Sequence, residues 1–170
     1  MGHDILDNFP QKNLVVLGLG SNLGDSAQII NSALQKLRLF LSDSKSASLY
    51  QSDPMYVTDQ NFFINTVISG FYSDSPEELL GLVNKIEEFF GRNRSTERRW
   101  GERFLDIDIL LFGGLIVNMP NLQIPHPRIK ERRFVLEPLL EILSDATEPG
   151  TGVLYRDIRE TLLYQKVNRI

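Results

Sequence analysis

After a polar stretch, residues 1–12, that reads as a flexible leader, the chain turns apolar at Leu14-Val15-Val16-Leu17. This short run stops at Gly18 and predicts a buried strand, with residues 18–25 as the loop after it. Ile30, Ala33, Leu34, Leu37 and Leu41 then recur three and four apart, the spacing of one helical face, so a helix is expected over 26–41. The polar break at Ser42–Ser44 ends it. Residues 45–51 alternate weakly, with Ala47 and Leu49 on one side, and Phe62 to Tyr72 is a longer aromatic and β-branched run. Both read as strands. Residues 52–60, with Pro54 and no period, form a long loop between them and hence a candidate functional loop.

The next helix is marked most clearly. Ser75 suits the N-cap, Pro76 the first helical position, and Glu78 completes a capping box. Leu79, Val83, Ile86 and Phe90 supply its apolar stripe, and Gly91 a left-handed C-cap. Phe104 to Phe112 reads as a strand, Gly113-Gly114 as a turn, and Leu115 to Val117 as a strand pairing back. Residues 134–143 and 154–163 look helical, separated by the turn at 148–152. The order βαββαβ predicts an α+β class, a ferredoxin-like sandwich with an antiparallel sheet, two helices on one face and a C-terminal helical extension. At 170 residues one domain is expected, spanning 1–170.

Composition narrows the chemistry. Cysteine is absent, which excludes disulfides, thiolate catalysis and cysteine-ligated metals, and two histidines, His3 and His126, argue against a histidine-rich metal centre. No apolar run approaches the roughly 18 residues of a spanning helix, and nothing at the start resembles a secretory signal. The chain reads as cytoplasmic, with no membrane partner. Its net charge of −4 argues against a general nucleic-acid surface. One segment reverses the sign: residues 92–103, RNRSTERRWGER, carry five arginines against two glutamates.

That basic segment runs into Leu105-Asp106-Ile107-Asp108-Ile109. On a strand Asp106 and Asp108 share a face, with Cα atoms roughly 6.5–7 Å apart, opposite Leu105, Ile107 and Ile109. Two carboxylates so close repel each other unless cations neutralise them, which suits magnesium; the plainer alternative is the solvated face of an edge strand. Arg92, Arg94, Arg98, Arg99 and Arg103 offer forks for phosphate oxygens, so acids and arginines together point to nucleotide chemistry. Trp100, the only tryptophan, either covers a planar ligand or anchors the loop. Phe62, Phe63, Asn65 and Phe134 add ring surface and an amide. His126, between Pro125 and Pro127, is held in a rigid turn. Gly18, Gly20 and Gly24 are spaced one residue too widely for a dinucleotide fingerprint and read as a tight turn positioning Ser21 and Asn22; a P-loop motif is absent.

The stretch Arg99-Trp100-Gly101-Glu102-Arg103-Phe104-Leu105-Asp106-Ile107-Asp108 resembles the signature of the 6-hydroxymethyl-7,8-dihydropterin pyrophosphokinase family of folate biosynthesis. Gly20-Ser21-Asn22-Leu23-Gly24, Phe62-Phe63-Ile64-Asn65, Ile86-Glu87, Gly91-Arg92, Pro125-His126, Arg132 and Phe134 resemble it in the same order. The resemblance implies transfer of pyrophosphate from ATP to the hydroxymethyl pterin, giving AMP, with two magnesium ions on Asp106 and Asp108. It further implies that Arg92, Arg94, Arg99, Arg103, His126 and Arg132 meet phosphates, that Glu87 and Ile109 belong to the nucleotide site, and that Phe63, Asn65, Trp100 and Phe134 hold the pterin. Residues 52–60 and 92–102 look like the family's two catalytic loops. Ser95-Thr96-Glu97-Arg98-Arg99 holds one residue more than the pattern, so either Arg98 or Arg99 takes the loop arginine position. The resemblance leaves room for association with the next folate enzyme. A single-stranded RNA module, the reading from another class, is opposed by the paired acids beside the basic loop. A different magnesium-dependent nucleotidyl or phosphoryl transferase on the same fold is the third reading.

Overall fold

The computed structural model describes residues 12–55, 59–92 and 103–170. Its elements are β1 (Asn13–Ser21), α1 (Ser26–Leu37), β2 (Ser42–Ser46), β3 (Tyr50–Ser52), β4 (Phe63–Tyr72), α2 (Pro76–Phe89), β5 (Asp106–Phe112), β6 (Val117–Met119), β7 (Leu122–Ile124), α3 (Arg133–Ile142), α4 (Tyr155–Glu160) and β8 (Val167–Arg169). The main sheet runs β5-β1-β4-β3-β8, with β2 also on β4, and its pairings are all antiparallel. This is the ferredoxin-like order, with its second strand broken into β2 and β3 and an added edge strand.

Each sheet face has its own core. On one, Leu17, Leu19, Ile68, Ile107 and Ile109 pack against Ile30, Leu34, Leu79 and Val83 of α1 and α2. On the other, Val16, Val67 and Leu110 pack under Val135, Leu136 and Leu139 of α3 and Tyr155 of α4. The acids of β5 lie on this second face, so they are covered at one end by α3 rather than set on an open surface.

The capping box at Ser75 forms as read: Ser75 N–H donates to Glu78 Oε2 at 2.9 Å and Glu78 N–H to Ser75 Oγ at 3.2 Å. Gly91, at φ +90°, follows the end of α2. Three expectations need correction, and one strand has no signal in the sequence. The first strand does not stop at Gly18; β1 continues to Ser21, paired on both edges, because Gly18 and Gly20 are there for close approach, not for a turn. The polar residues Ser42–Ser46 form a strand, β2, whose pairing with β4 shifts register between Ser42 and Lys45. Leu115–Val117 does not pair back onto the preceding strand; β6 and β7 make their own two-stranded hairpin. Finally, β8 carries no alternating apolar signal and was not expected.

Candidate functional site

Three strands set the site in rows. Asn65 on β4 lies opposite Gly20 on β1, and Gly20 lies opposite Asp106 on β5; Val67, Gly18 and Asp108 form the next row. Two bare glycines between an amide and two carboxylates open the floor of a cavity. A Cβ on Gly20 would come within 3.2 Å of Asn65 Oδ1, and one on Gly18 within 3.3 Å of the Leu110 side chain. Gly20→Ala is therefore expected to crowd the Asn65 amide and to weaken binding of a ligand seated on this floor by about tenfold while the protein stays folded. Unchanged affinity in a binding titration would show that this floor is not used.

The first cavity is lined by Gly18, Gly20, Ser52, Phe63, Asn65 and Phe134, with Arg103, Asp106, Asp108 and Arg132 at its charged end. Asn65 Nδ2 donates to Ser52 Oγ at 2.9 Å, which fixes the orientation of the buried amide. The second cavity lies between α2, β5 and the β6–β7 hairpin. Asn84, Glu87, Arg92, Ile109, Gln123 and His126 line it, again with Asp106 and Asp108. The two aspartates thus stand where both cavities meet.

Their charge environment is specific. Asp106 accepts from Arg92 Nη1 at 2.7 Å and from Arg103 Nη1 at 2.8 Å; Asp108 accepts from Arg132 Nη1 at 3.1 Å. Loss of solvent, then the charge of Asp106, pushes the Asp108 carboxyl above its ordinary range, and His126 and Arg132 offset this only in part. Burial first, and then Arg132, pushes the His126 imidazole down against the pull of the acids, which favours its neutral form. Its Nδ1 accepts the Arg128 backbone N–H at 3.1 Å, so in the neutral form Nε2 carries the proton and faces Asp108 Oδ2 at 3.6 Å. Arg132 Nε is buried without a partner among the described residues, an orphaned donor beside the acids.

Backbone ties hold these groups still. Glu87, 1% exposed, pairs with Arg92 Nη1 and accepts the Ile107 N–H at 2.8 Å, joining α2 to the acid strand. Asn22, buried in the turn after β1, accepts the Arg103 N–H at 2.9 Å through Oδ1 and donates through Nδ2 to Gln60 at 3.1 Å. Its N–H also donates to Arg103 O at 3.2 Å.

The residues expected from sequence divide between the two cavities. Phe63, Asn65 and Phe134 fall in the first; Glu87, Arg92, Ile109 and His126 in the second; Asp106 and Asp108 in both. Arg132, expected at the nucleotide, reaches the acids from the first cavity. Ile109 is buried in the core and only borders the second cavity. Arg94, Arg98, Arg99 and Trp100 lie outside the described residues. Sequence reasoning missed Asn84 and Gln123, and it placed Ser52 in the 52–60 loop whereas Ser52 ends β3. For Asn84 a signal existed: it precedes Glu87 by three residues and so shares its helical face.

Two carboxylates and three guanidinium groups thus lie between an aromatic cavity and a polar one, an arrangement that suits a polyphosphate beside a planar ligand. Residues 16–144 match the family described as 7,8-dihydro-6-hydroxymethylpterin-pyrophosphokinase (HPPK). The folic acid synthesis protein fol1 of Pneumocystis carinii is 40% identical over 148 residues, 86% of this chain and 20% of that protein. The 2-amino-4-hydroxy-6-hydroxymethyldihydropteridine pyrophosphokinase of Bacillus subtilis (strain 168) is 39% identical over 142 residues, 82% of this chain and 84% of that one. Wild-type Plasmodium falciparum HPPK-DHPS, a crystal structure, shares the fold at a TM-score of 0.73 and 15% identity, over 94% of this chain and 46% of that one. The chain therefore spans a fifth of the Pneumocystis protein's length and most of the Bacillus protein's. It belongs to the 7,8-dihydro-6-hydroxymethylpterin-pyrophosphokinase family, the enzymes that transfer pyrophosphate to 6-hydroxymethyl-7,8-dihydropterin in folate biosynthesis.

Proposed function

We propose that this chain, acting as one domain, moves the terminal pyrophosphoryl group of ATP to the hydroxymethyl oxygen of 6-hydroxymethyl-7,8-dihydropterin and releases AMP. The observation that carries this reading is the sharing of Asp106 and Asp108 by two cavities of different character. A planar pterin suits the side with Phe63, Phe134 and the fixed amide of Asn65. The nucleotide suits the side with Arg92, Asn84 and His126. The acids then stand where a phosphate chain from one side reaches a hydroxyl on the other.

Magnesium fits these residues. The carboxylate oxygens of Asp106 and Asp108 are hard donors, and both residues line both cavities. Among the described residues no group of three or more His, Cys, Asp or Glu forms a closed metal cage. Magnesium commonly takes one or two carboxylates and completes its shell with phosphate and water oxygens. We assign two ions to Asp106 and Asp108; when bound they supply charge compensation along the triphosphate.

The chain's own residues orient and hold. Each guanidinium carries five N–H donors, so Arg92, Arg103 and Arg132 can keep a carboxylate and meet a phosphate oxygen together. His126, as a neutral donor through Nε2, adds a hydrogen bond without adding charge. Asn65 fixes the pterin edge and Phe134 stacks, which aligns the hydroxymethyl oxygen with the β-phosphorus. We assign phosphate contacts to Arg94 and Arg99 and a covering role over the pterin to Trp100. As the hydroxymethyl oxygen bonds to the β-phosphorus, the bond from that phosphorus to the α–β bridging oxygen breaks and AMP leaves; the hydroxyl proton passes late to water, so no strong side-chain base is required.

The greater length of the Pneumocystis relative and the double name of the Plasmodium one support association with the next folate enzyme. We place the chain in the cytoplasm; no helix among the described residues is long and apolar enough to cross a membrane. Chelation tests the metal assignment. Turnover of ATP with the hydroxymethyl dihydropterin is expected to fall to background in EDTA and to return with excess magnesium; turnover that persists in EDTA would contradict it.

A further inference from the structure

The family match ends at residue 144, yet β8, at residues 167–169, is built into the sheet beside the first cavity. It pairs with β3, placing Arg169 opposite Tyr50, Asn168 opposite Gln51 and Val167 opposite Ser52. Ile170 N–H donates to Leu49 O at 2.9 Å. Bonded and non-bonded pairs alternate in an antiparallel ladder, so the bonded Leu49–Ile170 pair makes Gln51–Asn168 the next bonded pair. On its other edge β3 pairs with β4, Tyr50 opposite Asn65 and Ser52 opposite Phe63. A three-residue strand held on one edge only is a weak element.

A carboxylate from the opposite layer locks the same strand. Glu141 of α3 accepts the Tyr50 hydroxyl at 2.7 Å, Ser48 Oγ at 2.8 Å and the Ser48 N–H at 3.2 Å, with the Arg169 guanidinium at 3.7 Å. Burial pushes the Glu141 carboxyl up, but the bonds from Tyr50 and Ser48 outweigh it and hold it below its ordinary value. The Tyr50 hydroxyl, by burial first and then by its bond to Glu141, is pushed up to about 12 and stays a donor. Two residues on, Ser52 accepts the Asn65 amide, and Asp53 and Met55 after it stand in the cavity wall.

We propose that β8 is a positioning element for the pterin cavity: it holds β3 in register on β4, so that Ser52 sets the Asn65 amide and the chain leaving β3 meets the cavity wall. The proposal rests on the first cavity being the pterin site. Residues 167–170 line neither cavity, so they act through β3 and not by contact. The effect is one-sided, because α2, β5 and the β6–β7 hairpin, which wall the second cavity, do not pair with β3 or β8.

Two variants test it: a chain ending at Lys166, and the full chain with Asn168→Pro, which removes the ladder donor. Asn168→Ala keeps that donor and serves as the control. Circular dichroism and thermal melts establish that each is folded. Both ladder variants are expected to raise KM for the pterin by about tenfold, with KM for ATP within about twofold of the parent and Asn168→Ala unchanged. An unchanged pterin KM in a folded ladder variant would overturn the proposal, and so would a parallel rise in both KM values, which marks a general loosening. Equilibrium dialysis of the pterin reads the same ratio without turnover. A parent chain that binds pterin but transfers nothing would count against the proposed reaction, while the dialysis ratio would still decide the role of β8.

Discussion

Asp108→Asn is expected to lower kcat by about three orders of magnitude and, in the same protein, to raise the melting temperature. The first effect follows from losing one of the two carboxylates to which the magnesium ions are assigned, since an amide is a poorer ligand for a hard cation. The second follows from the environment of Asp108. Its carboxyl is pushed up by lost solvent and by Asp106, more than His126 and Arg132 pull it down, so its ionised form costs the folded state stability. A group whose folded pKa is raised binds its proton more tightly in the folded chain, so its stabilising contribution grows as pH falls through that pKa and is lost as pH rises. The amide removes that cost at neutral pH. Asp106→Asn is expected to lose activity without the gain, because Arg92 and Arg103 both bond that carboxylate and would then face a neutral amide. Melts and turnover of the two variants side by side would show the contrast; a destabilised Asp108→Asn would contradict this account of the acid pair.

Glu87→Ala carries the largest expected loss of stability, about 3 kcal/mol, which in a chain of this size lowers the melting point by about 10 °C. The carboxylate is buried, pairs with Arg92 and accepts the Ile107 N–H. Alanine leaves a largely buried guanidinium without this partner and a buried N–H with no acceptor. Glu87→Gln keeps an acceptor for Ile107 and is expected to lose less than half as much. If the two variants melt together, the link between α2 and the acid strand does not carry the stability assigned to it.

The elements with strong local signals were legible. Ser75-Pro76-Glu77-Glu78 and the stripe from Leu79 to Phe90 determine α2 with little help from the rest of the chain, and the alternation at 105–109 places both acids on one face. What sequence could not show was the covering of that face. Reading Asp106 and Asp108 as facing away from Ile107 gives no sign that α3, thirty residues on, roofs that side and leaves a cleft at its end. Gly18 and Gly20 were misread because a glycine that ends a strand and one that makes room beside a strand look alike in one dimension. Only the pairing of Gly20 with Asn65 and Asp106 tells them apart. β8 escaped for a related reason: Val167-Asn168-Arg169 has one apolar residue, and it is a strand because β3 offers an edge beside it. Asn22 was singled out only as a turn residue, whereas its burial and its bonds to Arg103 and Gln60 make it the tie between the start of the acid strand and the edge of the first cavity.

With the two aspartates bringing a triphosphate and a pterin hydroxyl together, attack is expected to fall on the β-phosphorus. Chromatography of a reaction containing adenine-labelled ATP, magnesium and 6-hydroxymethyl-7,8-dihydropterin tests it most directly. Labelled AMP is expected in equal amount to the pterin diphosphate. Labelled ADP with a pterin monophosphate would place the attack on the γ-phosphorus and contradict it.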